Sequence, residues 1–121
     1  MELKNFNVKV VNLAPGDYKT EIIDNRKSVT DPYSAYQMTS ILQGAVQRGT
    51  AKKLISLKVP LAGKTGTTNK NTDTWFIGFT SKLVIGVYVG MDEPKPLGKF
   101  ETGSKAALPI FGEFVKISTR K

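Results

Sequence analysis

The stretch LAGKTGTTNKNTDTWFIGF, residues 61–79, decides how this chain is interpreted. A lysine lies between glycines and threonines, and a strand-like aromatic segment follows after a short polar interval. A Gly-Lys-Thr sequence of this kind can cradle a phosphate, line an acyl-transfer site, or simply turn the chain. The flanking residues have to decide among these three interpretations.

The spacing of glycines disfavours a phosphate-binding loop. A Walker A loop requires a glycine five residues before the glycine of Gly-Lys-Thr, and that position is occupied by Lys58. The residues before Lys64 predict a strand, and those after it predict a second strand rather than a phosphate-binding helix N-terminus. The acyl-transfer interpretation therefore fits better than nucleotide binding.

Downstream of residue 50 the sequence predicts a three-stranded antiparallel meander. LKVPLAGKTGTT (57–68) and DTWFIGFT (73–80) are the first two strands, on either side of a polar NKN turn. LVIGVYVG (83–90) is almost wholly apolar, as in strands that are covered on both faces. Short connections favour antiparallel neighbours. A closing helix is predicted within residues 102–118, broken or delayed by Pro109 and Gly112.

The clearest helix lies in TDPYSAYQMTSILQGAVQRGTA, residues 30–51. Asp31 is the predicted N-cap, Pro32 the first helical residue, and Gly49 the residue just past the end. Apolar residues recur at spacings of three and four, which predicts a helix that packs one stripe against the core. The stripe consists of Ala35, Met38, Ile41, Leu42, Ala45 and Val46.

Residues 1–30 are predicted to form a β-rich arm, distinct from the remainder at 31–121. Two short alternating patches, FNVKVVNL (6–13) and YKTEII (18–23), flank an APGD turn and suggest a hairpin. This arm contains no candidate chemistry.

The composition excludes several classes of site. The 121 residues have room for one small domain or for a piece of a larger one. Cysteine and histidine are both absent, which rules out disulfides, thiol nucleophiles, Ser-His triads and almost every zinc site. We therefore expect no metal and no cofactor, and any nucleophile would need Lys, Asp or Glu as its base.

The charge and hydropathy patterns constrain the partners. The net charge of +8 would suit a polyanion, but the basic residues are dispersed in runs no longer than two, which favours a solvated basic surface over nucleic-acid binding. The apolar run KLVIGVYVG has nine residues, far short of the about 20 that cross a bilayer. We expect neither a membrane segment nor a targeting signal in this chain.

Most of the chain resembles a known family. The segments at 31–51, PLAGKTGTTNKNTDTWFIGFTSKLVIGVYVGMDEP (60–94) and TGSKAALPIF (102–111) are similar to the C-terminal portion of the transpeptidase domain of class A penicillin-binding proteins of the 1A type. Lys-Thr-Gly is one of the three signatures of that serine acyl-transfer group. The resemblance implies a partial α+β fold related to serine β-lactamases, containing the helix, the meander and the closing helix.

The resemblance also implies a reaction and roles. In the family a serine is acylated by a peptidoglycan stem peptide or by a β-lactam, and an amine of a neighbouring stem then forms the cross-link. Lys64 would supply positive potential beside the nucleophile, and the Thr65 and Thr67 hydroxyls would hold the substrate carboxylate. Gly66 would let substrate lie against the strand, and the Thr67 N–H would be an oxyanion donor. A twist or bulge near Gly66 should let both strand faces reach the ligand.

Two motifs of the family are missing. No Ser-x-x-Lys precedes Lys64, and no Ser-x-Asn occurs anywhere. A single Ser-x-x-Lys, from Ser118 to Lys121, lies after the third motif and reverses the family order, so we interpret it as coincidence. We expect this chain to be inactive alone, and its apolar third strand to lack a neighbour unless residues 1–30 cover it.

Three hypotheses follow from these residues. The first is a fragment of a peptidoglycan D,D-transpeptidase, whose parent acts at the cell envelope, on the outer face of the cytoplasmic membrane or in the periplasm, and whose missing part is a potential partner. The second is a non-catalytic module that binds cell-wall peptide or protein. The third, part of a serine β-lactamase, is disfavoured because residues 36–51 and GVYVGMD (86–92) resemble the synthetic enzymes.

Overall fold

The computed structural model describes residues 6–13 and 30–119, which contain one antiparallel sheet and two α-helices. The strands are β1 (Phe6–Leu13), β2 (Ala62–Thr67), β3 (Asp73–Phe79) and β4 (Val84–Met91), in the order β1-β4-β3-β2. The helices are α1 (Pro32–Gln47) and α2 (Ala107–Ser118). The predicted α+β arrangement of helix, three-stranded antiparallel meander and closing helix is confirmed, and β1 adds a fourth strand.

The ends of α1 follow the predicted capping residues. Asp31 is extended, and its Oδ1 accepts a hydrogen bond from the Ser34 N–H at 2.9 Å, with Pro32 in the first helical position. The hydrogen bonds from the Ser34 side chain and backbone lower the pKa of Asp31. Gly49 lies just past the end, where a Cβ would come 2.9 Å from the Ala45 carbonyl oxygen. The N-cap and the terminating glycine are both confirmed.

The predicted apolar stripe of α1 packs only at its C-terminal end. Val46 is buried, whereas Met38 is 56% exposed and Ile41 is 67% exposed. Tyr33 and Tyr36, nearer the start of the helix, are each 72% exposed. The expectation of a helix packed along its whole stripe is therefore wrong, because among the described residues α1 packs mainly against β2 and the 3₁₀ helix Lys52–Leu57, and only its last turns are buried.

The strand that carries the Gly-Lys-Thr sequence is shorter than predicted. It begins at Ala62 rather than residue 57, since Lys52–Leu57 form a 3₁₀ helix instead. That helix ends at Lys58, which adopts a left-handed conformation with φ 54°. A left-handed residue followed closely by Pro60, which lacks an N–H, prevents the strand from starting earlier.

The core lies between one face of the sheet and α2. Phe76 of β3 and Phe111 of α2 are fully buried, and their rings meet edge to face with centroids 4.6 Å apart. Gly63 and Gly78 make room for these rings, because a Cβ at either position would come within 2.9 Å of one of them. The other members of the core are Val46, Ala51, Leu54, Leu61, Ile85, Val87, Val89, Ala107, Leu108 and Val115.

The opposite face of the sheet is not covered by any described residue to the same extent. Trp75 is 41% exposed and Ile77 is 51% exposed on β3. On β4, Ile85 is buried whereas Val84 is 37% exposed and Tyr88 is half-buried. The prediction that the third meander strand is covered on both faces is therefore wrong for the described part of the chain.

β1 covers the edge of β4 that the meander alone would leave open. The two strands pair antiparallel along the whole of β1, from Phe6 opposite Met91 to Leu13 opposite Val84. The sequence left open whether this apolar edge would lack a neighbour or be covered by residues 1–30. In the structure, residues 6–13 cover it. The YKTEII patch at 18–23 and the APGD turn lie outside the described residues, and the division of the chain at residue 30 stays a prediction.

The closing helix starts late, as predicted. Residues 103–106 form a turn, and α2 begins only at Ala107, with Pro109 in its first turn where a missing N–H is tolerated. The helix presents Leu108, Phe111 and Val115 to the core. This placement brings the turn before α2 against the end of β2.

Candidate functional site

The candidate site residues Lys64, Thr65, Gly66 and Thr67 all lie on β2, the edge strand of the described sheet. β2 pairs with β3 on one side only, from Ala62 opposite Phe79 to Thr67 opposite Thr74. The Thr68 N–H donates to the Asp73 carbonyl of the strand next to it. Since successive N–H groups of a strand point to opposite sides, the N–H of Thr67 points to the free edge.

Lys64 reaches the threonine side by passing around this free edge. Its Nζ donates to the Thr65 carbonyl oxygen at 3.1 Å and lies 3.4 Å from Thr65 Oγ1. The pairing of β2 is one residue to one residue throughout, so the bulge expected near Gly66 does not occur in this strand. The Lys64 ammonium therefore lies beside the Thr65 hydroxyl because the lysine side chain is long, and not because of a bulge in β2.

The electrostatic surroundings of Lys64 leave its charge unneutralised within the described residues. Two ion pairs between described residues, Lys95 with Glu93 and Lys116 with Glu113, lie on the surface and do not involve Lys64. Among residues 6–13 and 30–119, the hydrogen-bond acceptors of the Lys64 ammonium are two oxygens of Thr65. The free edge of β2 is thus a site of positive potential with hydroxyl groups beside it.

Thr50 adds a third hydroxyl from outside the motif. Its Oγ1 lies 3.1 Å from Thr65 Oγ1, and it follows Gly49 at the end of α1. The next residue, Ala51, is fully buried and its N–H bonds to the Ala45 carbonyl, which fixes Thr50 beside β2. The packed end of α1 therefore positions a hydroxyl against the candidate site.

Gly103 contacts the site from the turn before α2. Its N–H donates to Thr67 Oγ1 at 3.0 Å. A Cβ at this position would come 2.5 Å from the Trp75 carbonyl oxygen and 2.9 Å from that of Gly66, so only a glycine can lie so close to the two strands. Thr67 itself is exposed, with its hydroxyl held by a group 36 residues away.

The loop that leads to Gly103 is tied to the turn after β2. Asn71 has a positive φ of 54°, and its side-chain amide donates to the carbonyl oxygens of Gly98 and Lys99, both at 3.3 Å. Its own carbonyl accepts from the Leu97 N–H at 2.9 Å. The polar NKN turn, predicted only as a connection, therefore also anchors the loop bordering the site.

Ser118 is the serine of the only Ser-x-x-Lys sequence, and its surroundings do not suit a catalytic nucleophile. It is the last residue of α2, it is exposed, and its hydroxyl donates to the Phe114 carbonyl at 2.8 Å. Lys121 lies outside the described residues. A helix C-terminus provides no N–H groups to stabilise a developing negative charge on a serine.

Sequence reasoning missed Thr50 and Gly103. Their partners are 15 and 36 residues away along the chain, so no local spacing connects them to the Lys-Thr-Gly motif. A glycine three residues after Phe100, which ends the Pro-rich loop MDEPKPLGKF (91–100), gives no sign that it will pack against β2. Only the fold brings these groups together.

With this geometry established, comparison with known proteins identifies the class. Residues 6–116 match the family model described as the penicillin binding protein transpeptidase domain. The match covers well over half of the chain, and the chain therefore belongs to that family.

Within this family the chain is similar to proteins named penicillin-binding protein 1A. The chain is 51% identical over 108 residues to penicillin-binding protein 1A of Rickettsia prowazekii (strain Madrid E), covering 86% of the chain and 14% of that protein. It is 49% identical over 84 residues to penicillin-binding protein 1A of Pseudomonas aeruginosa, covering 69% of the chain and 10% of that protein. The chain thus spans a small part, about one seventh or less, of these curated relatives.

A solved structure supports the same assignment. The crystal structure of penicillin-binding protein 1A from Haemophilus influenzae superposes with a TM-score of 0.66 at 33% identity, covering 69% of this chain and 14% of that one. Neither α1 nor α2 combines the length and apolar character that a bilayer-spanning helix needs. Among residues 6–13 and 30–119, no three metal-ligating side chains of the His, Cys, Asp or Glu type come together.

Proposed function

We propose that this chain supplies one wall of the active-site cleft of a peptidoglycan D,D-transpeptidase, as the C-terminal portion of that domain. The observation that carries the proposal is the free edge of β2, where the Lys64 ammonium meets the Thr65 hydroxyl and the Thr67 hydroxyl lies one alternate position further. Membership of the transpeptidase family supports the same conclusion. The ligand of the complete domain would be a stem peptide or a β-lactam.

The backbone of this edge suits an extended acyl donor. Among the described strands none pairs with the outer side of β2, and a substrate backbone can lie along that side as an additional strand. The N–H of Thr67 points to that side and would donate to the oxyanion that forms when a serine attacks the scissile carbonyl. Removing one such donor typically slows acyl transfer about 10² to 10³-fold.

Each side chain has a distinct role in this proposal. Lys64 would raise the positive potential beside the attacking serine, which favours the transfer of its proton and stabilises the negatively charged intermediate. The hydroxyls of Thr65 and Thr67 would bind the terminal carboxylate of the substrate. Gly66 keeps the strand surface open, since a Cβ there would approach the Trp75 Cβ to 3.3 Å.

The chain by itself would not complete the reaction. It contains no Ser-x-x-Lys before the motif, so it would need a nucleophile and its paired lysine from the rest of the transpeptidase domain. That remaining part is the partner we propose, at the cell envelope, where peptidoglycan is cross-linked.

Labelled penicillin tests this proposal. The matching segment of Rickettsia prowazekii penicillin-binding protein 1A is replaced by this chain, and covalent labelling of the chimera is compared with that of the chain alone. We expect labelling of the chimera only, with loss on Lys64→Gln and on Thr67→Val but not on Lys116→Gln, a matched surface lysine. Labelling of the chain alone would make Ser118 the candidate nucleophile. It would contradict the proposal that the nucleophile comes from the rest of the transpeptidase domain.

A second candidate is a non-catalytic module that binds cell-wall peptide. It is favoured by the grouping of Lys64, Thr65 and Thr67 in a chain that lacks the nucleophile motif. If this candidate is correct, an unlabelled D-Ala-D-Ala peptide binds the isolated chain, the chimera is not acylated, and Thr67→Val abolishes the binding.

A further inference from the structure

We infer that two residues outside the Lys-Thr-Gly motif, Thr50 and Gly103, act as positioning residues that make the hydroxyls of Thr65 and Thr67 hydrogen-bond donors toward a carboxylate ligand. The inference rests on the proposed function, because it deepens the assignment of those two threonines as carboxylate-binding groups.

The argument starts from the hydrogen-bond capacity of a threonine hydroxyl. Each hydroxyl has one hydrogen to donate and two lone pairs that accept. A carboxylate is an acceptor only, so it can be bound by a hydroxyl only through that one hydrogen. A hydroxyl whose hydrogen is used inside the protein is lost to the ligand.

Thr67 has its direction set by the backbone. The Gly103 N–H can only donate, so Thr67 Oγ1 must accept in their 3.0 Å hydrogen bond. The Thr67 hydrogen is then left for a group outside. Gly103 can approach so closely because it has no side chain to meet the carbonyl oxygens of Gly66 and Trp75.

The direction of the Thr65 hydroxyl depends on a lysine and on a second threonine. The Lys64 ammonium has only hydrogens to donate, so Thr65 Oγ1 is the acceptor in that contact. One lone pair and the hydrogen remain. In the 3.1 Å contact with Thr50 either hydroxyl can donate. When a carboxylate accepts the Thr65 hydrogen, Thr50 donates to the remaining lone pair, and Thr65 then has no acceptor capacity left.

The two hydroxyls then form a pair of donors on alternate residues of one edge strand, on the same side of the strand. Lys64 contributes positive charge next to the pair. This combination favours a carboxylate over an uncharged carboxamide. A carboxamide has its own N–H donors, and some of them would face the Lys64 ammonium and the outward hydrogens of the threonines.

The test uses the full chain, isotopically labelled, titrated with N-acetyl-D-alanyl-D-alanine and separately with the C-terminal carboxamide of the same dipeptide. The backbone amide signals of Thr65, Thr67 and Gly103 report binding, and the whole amide spectrum reports folding of each variant. We expect the unaltered chain to prefer the carboxylate. Thr50→Val should weaken carboxylate binding roughly three- to tenfold, as expected for loss of one net hydrogen bond, and leave carboxamide binding unchanged.

Matched variants separate positioning from packing. Thr50→Ser keeps the hydroxyl and should restore the preference for carboxylate, and Thr119→Val, the same exchange at the end of α2, should leave it unchanged. Gly103→Ala should displace the turn from β2 and reduce the preference as Thr50→Val does.

Three outcomes overturn the inference: equal loss for carboxylate and carboxamide in Thr50→Val, no restoration by Thr50→Ser, or no binding of the carboxylate by the unaltered chain. The penicillin labelling of the chimera is an independent measurement, so a failure of the proposed function is distinguishable from a failure of this positioning.

Discussion

The Tyr88 hydroxyl donates a short hydrogen bond of 2.6 Å to Asp73 Oδ1 across the pairing of β3 and β4. The second carboxylate oxygen accepts from the Thr72 hydroxyl at 3.1 Å, and the Trp75 ring packs against the Tyr88 ring with centroids 4.9 Å apart. A Cβ at Gly90 would overlap the Tyr88 hydroxyl, so the glycine opposite Asp73 leaves room for the bond. Asp73 thus anchors the open face of the sheet and the start of β3.

This hydrogen bond predicts a pH-dependent stability. Donation to Asp73, followed by desolvation and the negative charges of Asp73 and Asp92, raises the pKa of Tyr88 above its ordinary value of 10.0. A group whose pKa is raised by folding stabilises the native state below its unfolded pKa and loses that contribution as the pH rises through its folded pKa. We expect the free energy of unfolding to fall above about pH 10 more in the unaltered chain than in Tyr88→Phe.

Urea unfolding at a series of alkaline pH values provides the measurement. Tyr36→Phe, which alters a tyrosine that is 72% exposed on α1, is the control and should follow the unaltered chain. Identical pH profiles for Tyr88→Phe and the unaltered chain would mean that the Asp73 hydrogen bond is not maintained in solution.

The sequence predicted the elements that local chemistry determines. Asp31 and Pro32 begin α1 because a capping carboxylate and a fixed φ act within one turn, and Gly49 ends it for the same local reason. The alternation of DTWFIGFT places Phe76 in the core and Trp75 on the other face, as a period of two requires.

What the sequence could not predict depends on contacts between distant residues. The apolar stripe of α1 predicts that a packing partner covers it, but periodicity does not identify that partner. The left-handed conformation of Lys58 contradicts the propensity of lysine, so the late start of β2 could not be foreseen. The positions of Thr50 and Gly103 beside β2 depend on packing at the end of α1 and before α2.

The pairing of β1 with β4 predicts unequal losses of stability when proline is placed at two neighbouring positions. Val10 and Val11 lie opposite Val87 and Gly86. Because successive N–H groups alternate sides, only one of the two points to β4. Proline at that position removes a ladder hydrogen bond and should lower the free energy of unfolding by about 1–3 kcal/mol, whereas proline at the other should cost much less.

The damaging proline should also make the urea midpoint depend on protein concentration, since it reopens the apolar edge of β4 to association. Analytical ultracentrifugation of both variants checks this expectation. If Val10→Pro and Val11→Pro behave alike, β1 does not pair with β4 in solution.

The aromatic pair between sheet and helix predicts a large loss of stability on truncation. Phe111 is fully buried against Phe76. Phe111→Ala removes the ring and leaves a cavity lined in part by Gly78, which should cost about 3–5 kcal/mol in urea unfolding. Phe100→Ala is the control, because Phe100 is 66% exposed and should change stability by less than about 0.5 kcal/mol. Equal effects of the two truncations would contradict the packing of α2 on the sheet.

The exposed and buried parts of the α1 stripe predict contrasting effects along one helix. Val46 is 5% exposed, so Val46→Ala should lower the free energy of unfolding of the chain by about 1–3 kcal/mol. Met38→Gln and Ile41→Gln alter exposed side chains and should change it by less than about 0.5 kcal/mol. Glutamine is chosen because its helix propensity is close to that of methionine, so the helix itself is little affected. Urea unfolding of the isolated chain measures all three variants, and a large loss in either glutamine variant would show that the exposed part of the α1 stripe packs against the chain itself. The same glutamine variants in the penicillin-labelled chimera then ask whether the rest of a transpeptidase domain covers that face, since burial of the two glutamines there should reduce the amount of folded, labelled protein.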